Sequence, residues 1–134
     1  MPRSLTIVVI SLAGLLSVAP FFSAQAHGKP EHGGAFHEVD EYTFELLANR
    51  ANKDTVNFKL YIKDPALKPV TAGEVTLQVK LGPDRFLPVQ LKPGEADAFE
   101  GSATLAQSGR YRVTALFTRP GQKVLKSRLS IRLI

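Results

Sequence analysis

Apolar and polar residues alternate with a period of two along most of this chain, the signature of half-buried strands. The clearest stretch is Val56, Phe58, Leu60 and Ile62, interleaved with Asn57, Lys59, Tyr61 and Lys63. Tyr42, Phe44 and Leu46 alternate with Thr43 and Glu45. Val75, Leu77, Val79 and Leu81 share one face, opposite Thr76, Gln78 and Lys80. Phe86–Leu91 and Phe99–Leu105 read as further strands. Tyr111, Val113, Ala115 and Phe117 form another, and Leu125, Ser127, Leu129, Ile131 and Leu133 form the last. Between them lie turn signals: Asn49–Asp54, a proline-rich link from Asp64-Pro65 to Gly73, Gly82-Pro83-Asp84-Arg85, Pro93-Gly94, Ser108-Gly109 and Pro120-Gly121.

Seven or eight strands with such turn spacing and no helical period predict an all-β fold, an immunoglobulin-like antiparallel β-sandwich. Gly109-Arg110-Tyr111-Arg112-Val113 has the form of a penultimate strand with a tyrosine corner, in which the phenol bonds nearby backbone. Phe44, Phe58, Leu60, Val79, Tyr111, Val113 and Leu129 are the expected interior.

The first 26 residues follow a different pattern. Arg3 precedes an uncharged apolar run, Leu5–Val18, which Pro20 breaks before Ala24-Gln25-Ala26. This is the layout of a cleavable secretory signal peptide, with small residues where a signal peptidase needs them. The run is short for a permanent span, which takes about twenty residues. The expected organisation is a signal peptide at 1–26, a flexible His- and Gly-containing arm at 27–35, and one sandwich domain at 36–134. No stable membrane span would remain after cleavage. The mature chain of 108 residues is long enough for one packed core. It contains no cysteine, so disulfides, thiolate metal sites and thiol catalysis are excluded.

Charge is unevenly spread. His27–Asn49 holds five carboxylates, one lysine and all three histidines, whereas Arg110–Ile134 holds seven Lys/Arg and no acid. The basic stripe reads first as a solvated strand face. Export argues against nucleic acid as its partner.

No nucleophile lies in a recognisable elbow, and neighbouring carboxylates such as Asp40-Glu41 would diverge on a strand, so no enzyme is expected. The histidines point to metal. His27, His32 and His37 fall within eleven residues, with Glu31, Glu38 and Glu45 nearby as oxygen donors. A site of nitrogen and oxygen ligands suits Cu(II) or Zn(II). Gly33-Gly34 would let His32 and His37 converge. Cleavage after Ala26 would free the His27 α-amine to chelate together with its own imidazole.

Glu31-His32-Gly33-Gly34, followed by Tyr42-Thr43-Phe44-Glu45-Leu46, resembles the opening of a small sandwich domain of heavy-metal efflux systems. That domain occurs as the N-terminal module of periplasmic adaptor subunits of metal-exporting pumps, and as free-standing exported proteins. The resemblance implies a periplasmic protein that handles metal, with His32 matching the motif, and components of an efflux system as partners. A lesser likeness is to periplasmic copper carriers of the copper-resistance type, whose mature chains begin with histidine. The expected role is therefore a periplasmic metal carrier, buffer or efflux accessory. The alternative is an envelope interaction module with the same fold and no metal.

The chelate idea depends on the cut. Mass spectrometry of the exported protein is expected to find His27 as the first residue, and any other start removes the terminal chelate.

Overall fold

The computed structural model describes residues 29–134. The expected signal peptide at 1–26 and His27 lie outside the described residues. Eight strands follow one another: β1 (Ala35–Val39), β2 (Tyr42–Arg50), β3 (Thr55–Lys63), β4 (Glu74–Gly82), β5 (Arg85–Pro93), β6 (Phe99–Thr104), β7 (Gly109–Thr118) and β8 (Leu125–Leu133). No helix occurs among the described residues. All pairings are antiparallel and form one sheet in the order β1-β2-β3-β6-β5-β4-β7-β8.

Two well-paired halves meet at a short seam. β6 and β5 share only the pairs Lys92↔Glu100 and Pro93↔Phe99. The free edges of the halves, β1 and β8, approach each other through His37. Its Nδ1 lies 3.1 Å from the Arg128 backbone nitrogen and 3.0 Å from Ser127 Oγ. The sheet is thus nearly closed, and one face of every strand lines the interior.

Period-two burial produces that interior directly. Val56, Phe58, Leu60 and Ile62 of β3 are buried, as are Val75, Leu77 and Val79 of β4 and Val113, Ala115 and Phe117 of β7. All five odd-numbered residues from Leu125 to Leu133 are buried on β8. The Phe117 ring meets the Phe44 and Phe99 rings edge-on, with centroids 6.4 and 6.2 Å away. Fully burying such side chains contributes about 1.5–3 kcal/mol each.

One position on the expected inner face of β4 and one expected interior residue differ. Leu81 is 38% exposed, because the β4–β5 register shifts between Lys80 and Gly82 and the alternation ends there. Tyr111 is only half-buried. Its Oη donates to the Gln107 carbonyl at 2.8 Å, four residues upstream, the geometry of a tyrosine corner. The Arg50 guanidinium also donates to the Gln107 carbonyl (3.4 Å), and to those of Leu105 (2.6 Å), Lys53 (3.1 Å) and Ile134 (3.1 Å). One side chain thereby ties the end of β2 to the β6–β7 connection and to the last residue.

β1 joins β2 through a two-residue hairpin, with Val39 opposite Tyr42. Asp40 and Glu41 occupy the turn at φ 49° and 68°. Two left-handed residues are what a type I′ turn requires. The adjacent acids are therefore turn residues. Their left-handed φ carries a steric cost of about 1–2 kcal/mol per residue. Asn-Gly is the preferred pair for such a turn. The double substitution Asp40→Asn, Glu41→Gly is expected to raise thermal stability by a few degrees, roughly 1 kcal/mol, as read by calorimetry.

Candidate functional site

Glu45 organises the segment before β1. It lies on β2, with Phe36 of β1 opposite on one side and Tyr61 of β3 on the other. These three positions share the outer face, because their neighbours Phe44 and Leu60 point inward. Glu45 is nonetheless only 5% exposed, since residues 31–34 fold back over it.

Its carboxylate meets four donors. Oε1 accepts from the Glu31 N–H at 3.0 Å and lies 3.0 Å from His32 Nδ1. Oε2 accepts from the N–H groups of His32 at 2.7 Å and Gly34 at 2.8 Å. Four donors match the four lone-pair positions of an ionised carboxylate. Burial by itself would raise the Glu45 pKa. The hydrogen bonds from the Gly34 N–H, the His32 side chain, and the His32 and Glu31 N–H groups outweigh it and hold the pKa below the ordinary carboxylate value.

The two glycines make this convergence possible. Gly33 sits at φ +75°, a left-handed conformation that reverses the chain. A Cβ on Gly34 would lie 2.5 Å from the Leu46 carbonyl oxygen and 3.1 Å from Glu45 Cγ. The His-Gly-Gly sequence thus serves the Glu45 carboxylate. The spacing of the histidines suggests that the glycines let His32 and His37 converge; in the fold Gly34 instead serves a carboxylate eleven residues away, on β2.

The His32 ring stacks on Tyr61, with centroids 3.8 Å apart and planes 6° from parallel. With Nδ1–H donating to Glu45, Nε2 becomes the lone-pair nitrogen. The His32 side chain is 37% exposed. It borders a small cleft of about 210 Å³ with Tyr61, Lys63, Leu67 and Asp97. Glu31, at the same cleft, forms an ion pair with Lys63.

His37 lies on the other side of the β1–β2 ribbon. It is opposite Phe44 and faces inward, toward β8. Its Nδ1 accepts the Arg128 N–H, which puts the proton of the neutral ring on Nε2. Glu38 is exposed, next to His37 on the outer side of β1. The fold therefore brings Glu31, His32 and Glu45 together and directs His37 elsewhere. Among the described residues, no group of three His, Asp or Glu side chains is arranged to hold a metal ion.

Glu45→Gln puts an amide among four donors and is expected to cost about 2 kcal/mol or more at neutral pH. The folded-state pKa of Glu45 is lowered, so its contribution is complete above the ordinary carboxylate value. It disappears as pH falls through the lowered one. Wild type and Glu45→Gln should therefore converge in stability in acid, measured by urea unfolding across pH. Gly34→Ala is expected to destabilise more than Gly33→Ala.

Comparison of the chain with family models, curated proteins and solved structures yields no match.

Proposed function

We propose that this is an exported β-sandwich of immunoglobulin type that handles a divalent transition-metal ion through His32, as a periplasmic carrier, buffer or efflux accessory. The topology supports the sandwich. With β2 taken as strand A, the neighbours β2-β3-β6 correspond to A-B-E and β4-β7-β8 to C-F-G. Tyr111 then sits at the expected corner of strand F. β1 is an addition that covers the open edge of β8.

One observation carries the metal reading: the Glu45 carboxylate holds His32 Nδ1 at 3.0 Å, which leaves Nε2 as the coordinating atom of a partly exposed ring. A carboxylate behind a histidine is the usual support of a ligating imidazole. It fixes the tautomer and raises the basicity of the far nitrogen. In this arrangement Glu45 is a positioning residue, because its own oxygens are filled. Glu38 is an exposed oxygen donor. Glu31 is exposed but paired with Lys63 and would have to exchange that partner for the metal. His27, if it begins the mature chain, would supply an amine and a second imidazole. His37 contributes less, since its Nδ1 is engaged and its Nε2 carries the proton. Cu(II) and Zn(II) are the ions such a nitrogen and oxygen set favours. The likeness of the His-Gly-Gly opening to efflux modules agrees with this role.

Calorimetric titration of the mature protein with Cu(II) and with Zn(II) tests the reading. Wild type is expected to show one stoichiometric site. His32→Ala should abolish it and His37→Ala should leave it nearly intact. Glu45→Gln should weaken it about 10- to 100-fold. Absence of a site in wild type, or unchanged binding by His32→Ala, would favour the second reading, a non-metal interaction module. The observation behind that alternative is the basic outer face of β7 and β8.

A further inference from the structure

Of the seven basic residues after Arg110, counting it, two are engaged at the rim of the fold. Arg119 lies over the rings of Tyr42 (4.8 Å) and Phe117 (5.0 Å) and donates to Tyr42 Oη. Lys123 pairs with Asp40 at 2.8 Å. The other five, Arg110, Arg112, Lys126, Arg128 and Arg132, are exposed on the outer face of β7 and β8. Alternation puts them all on one side, since Val113, Ala115, Leu129 and Ile131 face the core.

Arg110 stands directly opposite Arg132 in the β7–β8 register. Arg112 is opposite Ser130, and Arg128 is opposite Thr114. Like charges facing each other across a ladder are destabilising. The ion pairs among the described residues are His32–Glu45, Lys63–Glu31 and Lys123–Asp40. None involves these five cations. The cluster extends onto β4 and β5. Lys80 is paired in register with Phe86, which is 52% exposed. Together with Arg112 and Arg128, these two residues line a shallow groove of about 520 Å³. An exposed phenyl ring is thus surrounded by cations.

We propose that this face docks on an anionic phospholipid bilayer, with the five β7–β8 cations and Lys80 meeting headgroup phosphates and Phe86 entering the interface. The charge calls for an anionic partner. Its layout favours a surface: the cations spread over two adjacent strands and roughly 20 Å along them, instead of following one line. A single exposed aromatic offers no platform on which successive bases would stack. Beside cations, an aromatic ring suits the headgroup level of a membrane. Each cation near an anionic leaflet adds attraction, and salt screens it. The proposal uses none of the side chains of the metal reading, so the two stand or fall independently.

The test is co-sedimentation of the exported protein with vesicles of phosphatidylcholine alone, or of phosphatidylcholine mixed with phosphatidylglycerol. Binding is expected only to the mixed vesicles at about 50 mM salt, and should be largely lost at about 500 mM. The double substitution Arg112→Glu, Arg128→Glu should weaken it more than about ten-fold. Phe86→Ser should weaken it several-fold at unchanged net charge. Lys59→Glu, an exposed change on β3, should have little effect. Thermal melts of each variant establish that it is folded. Three results would overturn the proposal: no binding to the mixed vesicles at low salt, an equal loss with Lys59→Glu, or tighter binding to a single-stranded oligonucleotide than to the vesicles.

Discussion

Burial of alternate side chains on the inner face of a single antiparallel sheet is the constraint on which the rest of this structure depends. Without cysteine, apolar packing has to provide the cohesion. Phe117 is at its centre, edge-on to Phe44 from one half of the sheet and to Phe99 from the seam strand. Edge-to-face contacts of this kind add about 0.5–1.5 kcal/mol beyond the area they bury. They also join β2, β6 and β7, none of which are neighbours in the sheet. The short β5–β6 pairing could not hold the halves together by hydrogen bonds alone, so the interior provides the connection.

Once the core is set, the remaining problem is the polar backbone at the sheet edges. β8 would present unpaired N–H groups, and His37 of β1 takes up one of them at Arg128. β2 has the complementary problem, a carboxylate on a strand flanked by apolar residues. The preceding segment answers it by turning three backbone N–H groups and the His32 ring nitrogen onto Glu45. The two histidines therefore have different tasks. His37 closes the fold with its Nδ1 lone pair, whereas His32 spends its Nδ1 proton on Glu45 and retains a lone pair at Nε2. The proposed metal chemistry follows from that difference, and the proposed membrane contact follows from the cations that the outer face of β7 and β8 leaves unpaired.

Much of the architecture was legible in the residues. The strands from Val56 to Ile62, from Val75 to Val79 and from Leu125 to Leu133 follow the alternation, and the proline and glycine turns fall between strands. The corner at Tyr111 was visible from its local sequence. Three features were not. Asp40-Glu41 lacks the glycine or asparagine that normally marks a tight hairpin, so the break between β1 and β2 was hidden. Leu81 continues an apolar alternation, yet a register shift exposes it. Gly33-Gly34 looked like flexibility between two histidines, and its actual partner was a glutamate on the next strand.

The sequence by itself determined the all-β character, the position of most turns and the concentration of histidine at one end and of cations at the other. Those properties are local: side-chain alternation and turn chemistry act over a few neighbouring residues. Tertiary structure decided which imidazole keeps a free lone pair and which cations lack partners. These depend on register and on closure of β1 against β8, which bring together residues 13 and about 90 positions apart. A one-residue slip in register would move Glu45 to the core side and His37 to the outer side. Strand pairing, and not the spacing of the histidines, therefore decides what the His-Gly-Gly segment can do.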